Sequence, residues 1–133
     1  MSTGNLETAA ALFAAIEAKD PDAVARLYAD DVQVWHNFDD ACQDKATNLA
    51  VLSGLCAAAQ EIRYDVTERL LLEDGRMLQR HVLRVRVASG DEFAIPACIF
   101  VTAADGRITR IDEYLDTGQA NRLRAASGRG PID

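Results

Sequence analysis

Cysteine is scarce in this chain. The three present, Cys42, Cys56 and Cys98, are odd in number and lack metal-ligand spacing. Neither a disulfide scaffold nor a zinc site is expected, and a reducing cytoplasm is the expected location. Positive charge is also short, with 14 Lys and Arg against 21 Asp and Glu and a formal net charge of −7. Nucleic acid and anionic membranes attract clustered positive charge, so neither is an expected partner. No apolar run is long enough to cross a bilayer. The opening MSTGNLETAAALF has no basic segment and carries Glu7, so it reads as a helix and not as a signal peptide. Glycine-rich phosphate loops, dinucleotide fingerprints, Gly-x-Ser-x-Gly elbows and His-Glu-x-x-His helices are missing too. No cofactor and no metal are therefore expected.

What is present is a globular composition, with 49% hydrophobic and 26% charged residues in 133. That is enough for one domain, 1–133, built on one core, with 124–133 as a frayed tail. Leu6, Ala9, Ala10, Phe13 and Ile16 lie on one face of a first helix ending near Lys19. Asp20 caps a second helix, and Pro21 sits where a missing N–H costs nothing. Val24, Leu27 and Tyr28 form its stripe, Asp30-Asp31 break it, and a strand starts at Val32. Asp44 caps a third helix, running to about Ala59.

The period then changes to two. Ile62, Tyr64 and Val66 alternate with Arg63, Asp65 and Thr67. Turns at Glu73-Asp74-Gly75, Ser89-Gly90-Asp91 and Asp105-Gly106 separate successive strands, the signature of antiparallel hairpins. The strand from Phe93 to Thr102 is apolar enough to be covered on both faces, and a short helix is expected over Thr117 to Leu123. Three helices with one inserted strand, followed by a four-strand meander, define an α+β domain with its helices on one sheet face.

With LYADDVQVWHNFD and DGRITRIDEYLD in these places, the chain resembles the nuclear transport factor 2-like superfamily from about Leu6 to Leu123. Within it, the chain resembles the SnoaL-like branch, whose enzymes include ketosteroid isomerases, limonene epoxide hydrolases and polyketide cyclases. The resemblance implies a cystatin-like cone: a curved, mostly antiparallel sheet wrapped on helices around a deep apolar pocket. Many members dimerise through the outer sheet face. The superfamily also holds binding proteins and assembly domains, so the resemblance speaks to fold more sharply than to activity.

Carried over residue by residue, the isomerase's catalytic aspartate falls at His36, its tyrosine at Leu12 and its second aspartate at Cys98. None of those side chains is kept, which argues against ketosteroid isomerisation by that machinery. The epoxide hydrolase's asparagine also falls at His36 and its tyrosine at Val34. Its last-strand aspartate falls at Glu113, and its Arg-x-Asp segment near Arg80 to Val82, where Arg80-His81 is the nearest polar content. In both enzymes the position of His36 faces the pocket.

Alternation along the strands gives the facing separately. Val32 and Val34 share a face with His36; His81 shares one with Leu83, Val85 and Val87; Glu113 sits between Ile111 and Leu115. A one-residue bulge would flip any of these, putting Asp112 in place of Glu113. Trp35 reads as core or dimer contact, Asn37 as a loop cap, and Asp39-Asp40 as a solvated loop. An ionisable group in an apolar hollow needs a partner, and a Glu–His pair supplies one while creating a base for proton transfer.

The expected catalytic residues are His36, Glu113 and His81, and the expected ligand-binding residues Val34, Tyr64, Cys98 and Phe100. The expected function is a cofactor-independent enzyme doing proton-transfer chemistry on a small apolar or aromatic molecule. A non-catalytic ligand-binding module and a protein-association domain remain alternatives. A homodimer is compatible with all three.

Overall fold

The computed structural model describes residues 4–128. Helix α1, Gly4–Glu17, turns Leu12, Phe13 and Ile16 into the core. Lys19 adopts a left-handed φ of 55° and reverses the chain. The Asp20 carboxylate then accepts a hydrogen bond from Ala23 N and opens α2, Pro21–Leu27. This helix is shorter than its pattern suggests. Tyr28 is not on it but begins strand β1, Tyr28–His36. The reason is a tertiary hydrogen bond, in which the buried Tyr28 hydroxyl donates to Asn48 Oδ1 at 2.7 Å. Asp30 and Asp31 do not break the chain either; they occupy exposed positions of β1 where carboxylates keep their water.

A three-residue strand, β2 (Ala41–Gln43), was not expected from the sequence; it pairs antiparallel with the end of β1. Helix α3, Lys45–Ala58, follows, capped by the Asp44 carboxylate on Thr47 N. The meander is β3 (Ala59–Leu71), β4 (Met77–Val87), β5 (Glu92–Ala104) and β6 (Arg107–Leu115). Helix α4, Thr117–Ala126, buries Ala120 and Leu123, so the first positions of the expected tail, 124–126, are helical. Positions 129–133 of that tail lie outside the described residues.

The six strands run in the order β2-β1-β6-β5-β4-β3. Only β1 and β6 are parallel; every other pair is antiparallel. The protein is thus an α+β fold, helices packed on a curved and mostly antiparallel sheet. The inner face carries Val34, Ile62, Met77, Val85, Ile99, Val101 and Ile111 into one core with α1 to α3. The helices cover that face alone. For this reason β5 is not buried on both sides: Ile95, Ile99 and Val101 are buried, while Ala94 and Pro96 on the other face are exposed. No helix among the described residues is long and apolar enough to cross a membrane.

Candidate functional site

The parallel register of β1 with β6 sets His36 directly beside Glu113, two residues beyond Val34 beside Ile111. Irregularities of that pairing fall between Tyr28 and Gln33, and those of β5 with β6 between Thr102 and Ala103. Alternation therefore continues unbroken through the stretch that carries the pair. His36 Nε2 lies 3.1 Å from Glu113 Oε1, with both side chains largely shielded from water. An ionised carboxylate only accepts, so in a neutral His36 ring the proton belongs on Nε2 and Nδ1 is the lone-pair nitrogen. That Nδ1 is buried and has no partner among the described residues.

Asn37 follows the strand and locks it. Its backbone N–H donates to Glu113 O at 3.1 Å; its side chain accepts from Leu115 N at 3.1 Å and donates to Leu115 O at 3.4 Å. It clamps two strands together instead of capping the loop. Phe38 then stacks on the His36 imidazole, centroids 4.8 Å apart and planes 22° apart. The aspartates that follow are tied down: Asp39 accepts from Ala41 N at 3.1 Å and Asp40 from Trp35 Nε1 at 2.9 Å.

His36 forms part of the wall of a cavity of about 470 Å³. The rest of the wall is mostly apolar, including Phe38, Leu55, Ile95, Leu115 and Leu123, with Asp39, Gln43 and Arg124 as its polar elements. Volume and lining fall within the usual range for small-molecule sites. Gln43 is held by a buried chain, since its Oε1 accepts from Asn48 Nδ2 at 2.9 Å and Asn48 accepts from Tyr28. The Tyr28 hydroxyl is held well above its ordinary pKa by burial, with the Glu113 charge adding to the effect.

A second polar group lies further along the inner face, outside the residues that line this cavity. His81 on β4 is 2% exposed. Its ring meets Tyr64 and Phe13 edge-on, with centroids at 4.8 Å and 5.8 Å. Its Nδ1 lies 2.9 Å from Gln79 Nε2, and its Nε2 is buried without a partner among the described residues. Burial pushes the His81 pKa down; the Glu113 charge opposes this and Arg69 reinforces it. Tyr64 is pushed well above its ordinary value by burial, then by Glu113 and by smaller contributions from Tyr28, Glu17 and Cys56. Glu113 thus acts electrostatically on Tyr28, Tyr64 and His81 as well as bonding His36.

The other expected residues divide by face. Val34 is packed in the core at 2% exposure, and Tyr64 stands on the inner face. Cys98 and Phe100 do not line the cone. Their register partners are Arg80 with Tyr114 and Leu78 with Asp112, which places both on the outer face. Arg80 also points outward and pairs with Glu68 at 2.8 Å. The inward positions of that segment are Gln79 and His81. Sequence reasoning missed Gln79, Asn48 and Gln43; Gln79 shares the parity of His81 and could have been found by the same alternation. No group of three or more His, Cys, Asp or Glu among the described residues could hold a metal ion.

This cone is the architecture of the nuclear transport factor 2-like proteins. The profile described as SnoaL-like domain matches residues 9–111, and the chain belongs to that family. No curated protein matches it. Among solved structures, it is similar to a protein from Shewanella denitrificans assigned as a SnoaL-like polyketide cyclase. That likeness has a TM-score of 0.77 at 12% identity, covering 92% of this chain and 97% of the other. IdmH from Streptomyces antibioticus, also assigned as a polyketide cyclase, gives 0.75 at 18% identity, covering 93% and 98%. An LEH-like epoxide hydrolase from M. tuberculosis gives 0.77 at 15% identity, covering 92% and 90%. Likenesses at these identities concern the fold.

Proposed function

We propose that this chain is a cofactor-independent enzyme that moves a proton on a small apolar or aromatic carbonyl compound. The observation that carries the reading is the His36–Glu113 contact of 3.1 Å at the wall of an apolar cavity. Glu113 orients the imidazole, and Nδ1 takes a proton from carbon beside a carbonyl or from water. His81 supplies a hydrogen bond to the oxygen on which charge develops. The two histidines stand on β1 and β4, three strands apart in the sheet order. That is about 14 Å along a flat sheet at ordinary strand spacing, so the reading favours an extended, ring-containing substrate. Isomerisation, cyclisation, dehydration and hydrolysis all use this proton transfer. Ketosteroid isomerisation by its usual side chains is not among them, because Leu12 and the outward Cys98 stand at two of the required positions.

The test is exchange of α-protons. A panel of apolar cyclic ketones is incubated in D₂O and followed by proton NMR. The wild type exchanges at least one of them, and His36→Gln is slower by about 10²–10⁴-fold. Ketones that shift the cavity resonances yet never exchange would remove the enzyme reading and leave a ligand-binding module.

A second reading concerns assembly. Trp35 and Tyr114 meet edge-on at 5.1 Å on the uncovered sheet face, and Tyr114 is 48% exposed. A homodimer formed through this face would cover them. Light scattering of wild type and Tyr114→Asp measures it: the wild type runs as a dimer and the variant as a monomer.

A further inference from the structure

Arg69, Gln79 and His81 form a hydrogen-bonded line on the inner face. Arg69 Nε donates to Gln79 Oε1 at 2.7 Å. Gln79, fully buried, then meets His81 Nδ1 with its amide nitrogen at 2.9 Å. A guanidinium has only donors. Facing it, the Gln79 amide must present its oxygen, so its NH₂ points at His81. Two donors cannot face each other, so His81 Nδ1 must be the acceptor and the ring proton must sit on Nε2. Protonating Nδ1 would set donor against donor, either at His81 or, after an amide flip, at Arg69.

We infer that Arg69, acting through Gln79, is a positioning residue that fixes His81 as the neutral Nε2–H tautomer and so makes it a donor to a ligand oxygen. The inference deepens the reading proposed above and rests on it for the identity of the ligand. It selects an oxygen acceptor, such as a carbonyl or enolate, and disfavours an ammonium group at that point. Nε2, buried and unpartnered, is the atom left to meet it.

A backbone irregularity puts Arg69 in place. The β3–β4 register runs regularly to Val66 opposite His81, then shifts, so that Glu68 faces Arg80 and Arg69 faces Gln79. Thr67 is the extra residue of this bulge. Unbroken alternation would have turned Glu68, an acceptor, toward Gln79 and reversed the polarity of the line. Bulges near functional sites commonly re-aim a side chain in this way. Arg69 also lies over the Phe13 ring, 5.7 Å from its centroid, which steadies it. The charged groups that act on His81 are Arg69 from β3 and Glu113 from β6.

The experiment is a long-range ¹H–¹⁵N correlation spectrum of histidine-labelled protein above neutral pH. In the wild type, His81 shows Nε2 protonated and Nδ1 bare. Arg69→Lys keeps a donor and keeps this tautomer. Arg69→Glu and Gln79→Glu each place an acceptor in the line and move the His81 proton to Nδ1. Gln79→Glu retains the Arg69 contact, so the test survives if Arg69→Glu does not fold. A wild-type proton on Nδ1, or an unchanged tautomer in folded Gln79→Glu, overturns the inference. The ketone-exchange assay is read separately: kcat falls about 10²–10³-fold in the switched variants, with KM little changed. A switched tautomer with unchanged kcat removes His81 from the proposed reaction and leaves the positioning line standing.

Discussion

Acidification below neutral pH should destabilise this protein through His81. Burial lowers the His81 pKa, Arg69 helps and Glu113 opposes. A histidine with a lowered folded pKa binds its proton more readily in the unfolded chain. Its contribution to stability is therefore complete above the unfolded value, near 6.5, and is lost as pH falls through that value toward the folded one. The slope is capped at about 1.4 kcal/mol per pH unit for one proton. Between about pH 7.5 and pH 5.5 the expected loss is on the order of 1 kcal/mol. With a urea m-value of about 1–3 kcal/mol/M, the midpoint should fall by roughly 0.3–1 M.

The assay is urea unfolding at several pH values on wild type and His81→Gln. Other titrating groups are common to both proteins and largely cancel in the difference. The variant is less stable at neutral pH, because His81 packs against Tyr64 and Phe13. What matters is slope: the wild type loses stability on acidification and the variant loses less. Parallel curves would refute the reasoning, since they would mean that His81 binds its proton equally well folded and unfolded.

Other perturbations have definite outcomes. Tyr28→Phe removes the donor to the buried Asn48 Oδ1. Unfolding should become easier by about 1–3 kcal/mol, measured with denaturant. Met77→Ala empties a fully buried position at the start of β4; the cost should be about 2–5 kcal/mol, read the same way. Asn37→Ala deletes the acceptor of Leu115 N–H. Hydrogen exchange at that amide should accelerate by about fivefold, the equivalent of one net hydrogen bond, with the amides of β4 unchanged.

Much of the fold could be read locally, and the failures have physical causes. Caps at Asp20 and Asp44 mark α2 and α3 because the capping oxygen and the N–H it satisfies are three residues apart. The meander is legible because turn residues interrupt a period of two. Tyr28 was misplaced because its partner, Asn48, is twenty residues away, and no local pattern reports such a bond. Cys98 and Phe100 were misplaced for another reason: a strand apolar at nearly every position has no alternation from which to read its faces. The facing of His36, His81 and Glu113 followed from parity. The meeting of His36 with Glu113 depends on the parallel register of two strands far apart in sequence, which parity alone does not contain.

The pattern of satisfied and unsatisfied atoms bears on whether these histidines merely pack. A structural histidine in a core has its ring nitrogens hydrogen-bonded, because an orphaned buried polar atom costs about 1–3 kcal/mol. Here each imidazole has one nitrogen held and one buried without a partner. Arg86 Nε and Ser127 Oγ are orphaned too, but on residues that are only half-buried. Two such atoms on one sheet face are a substantial burden for a fold with a net stability of about 5–15 kcal/mol. They are also complementary. Glu113 leaves a neutral His36 with a lone pair, and the Arg69–Gln79 line leaves His81 with an N–H. A packing role needs neither state.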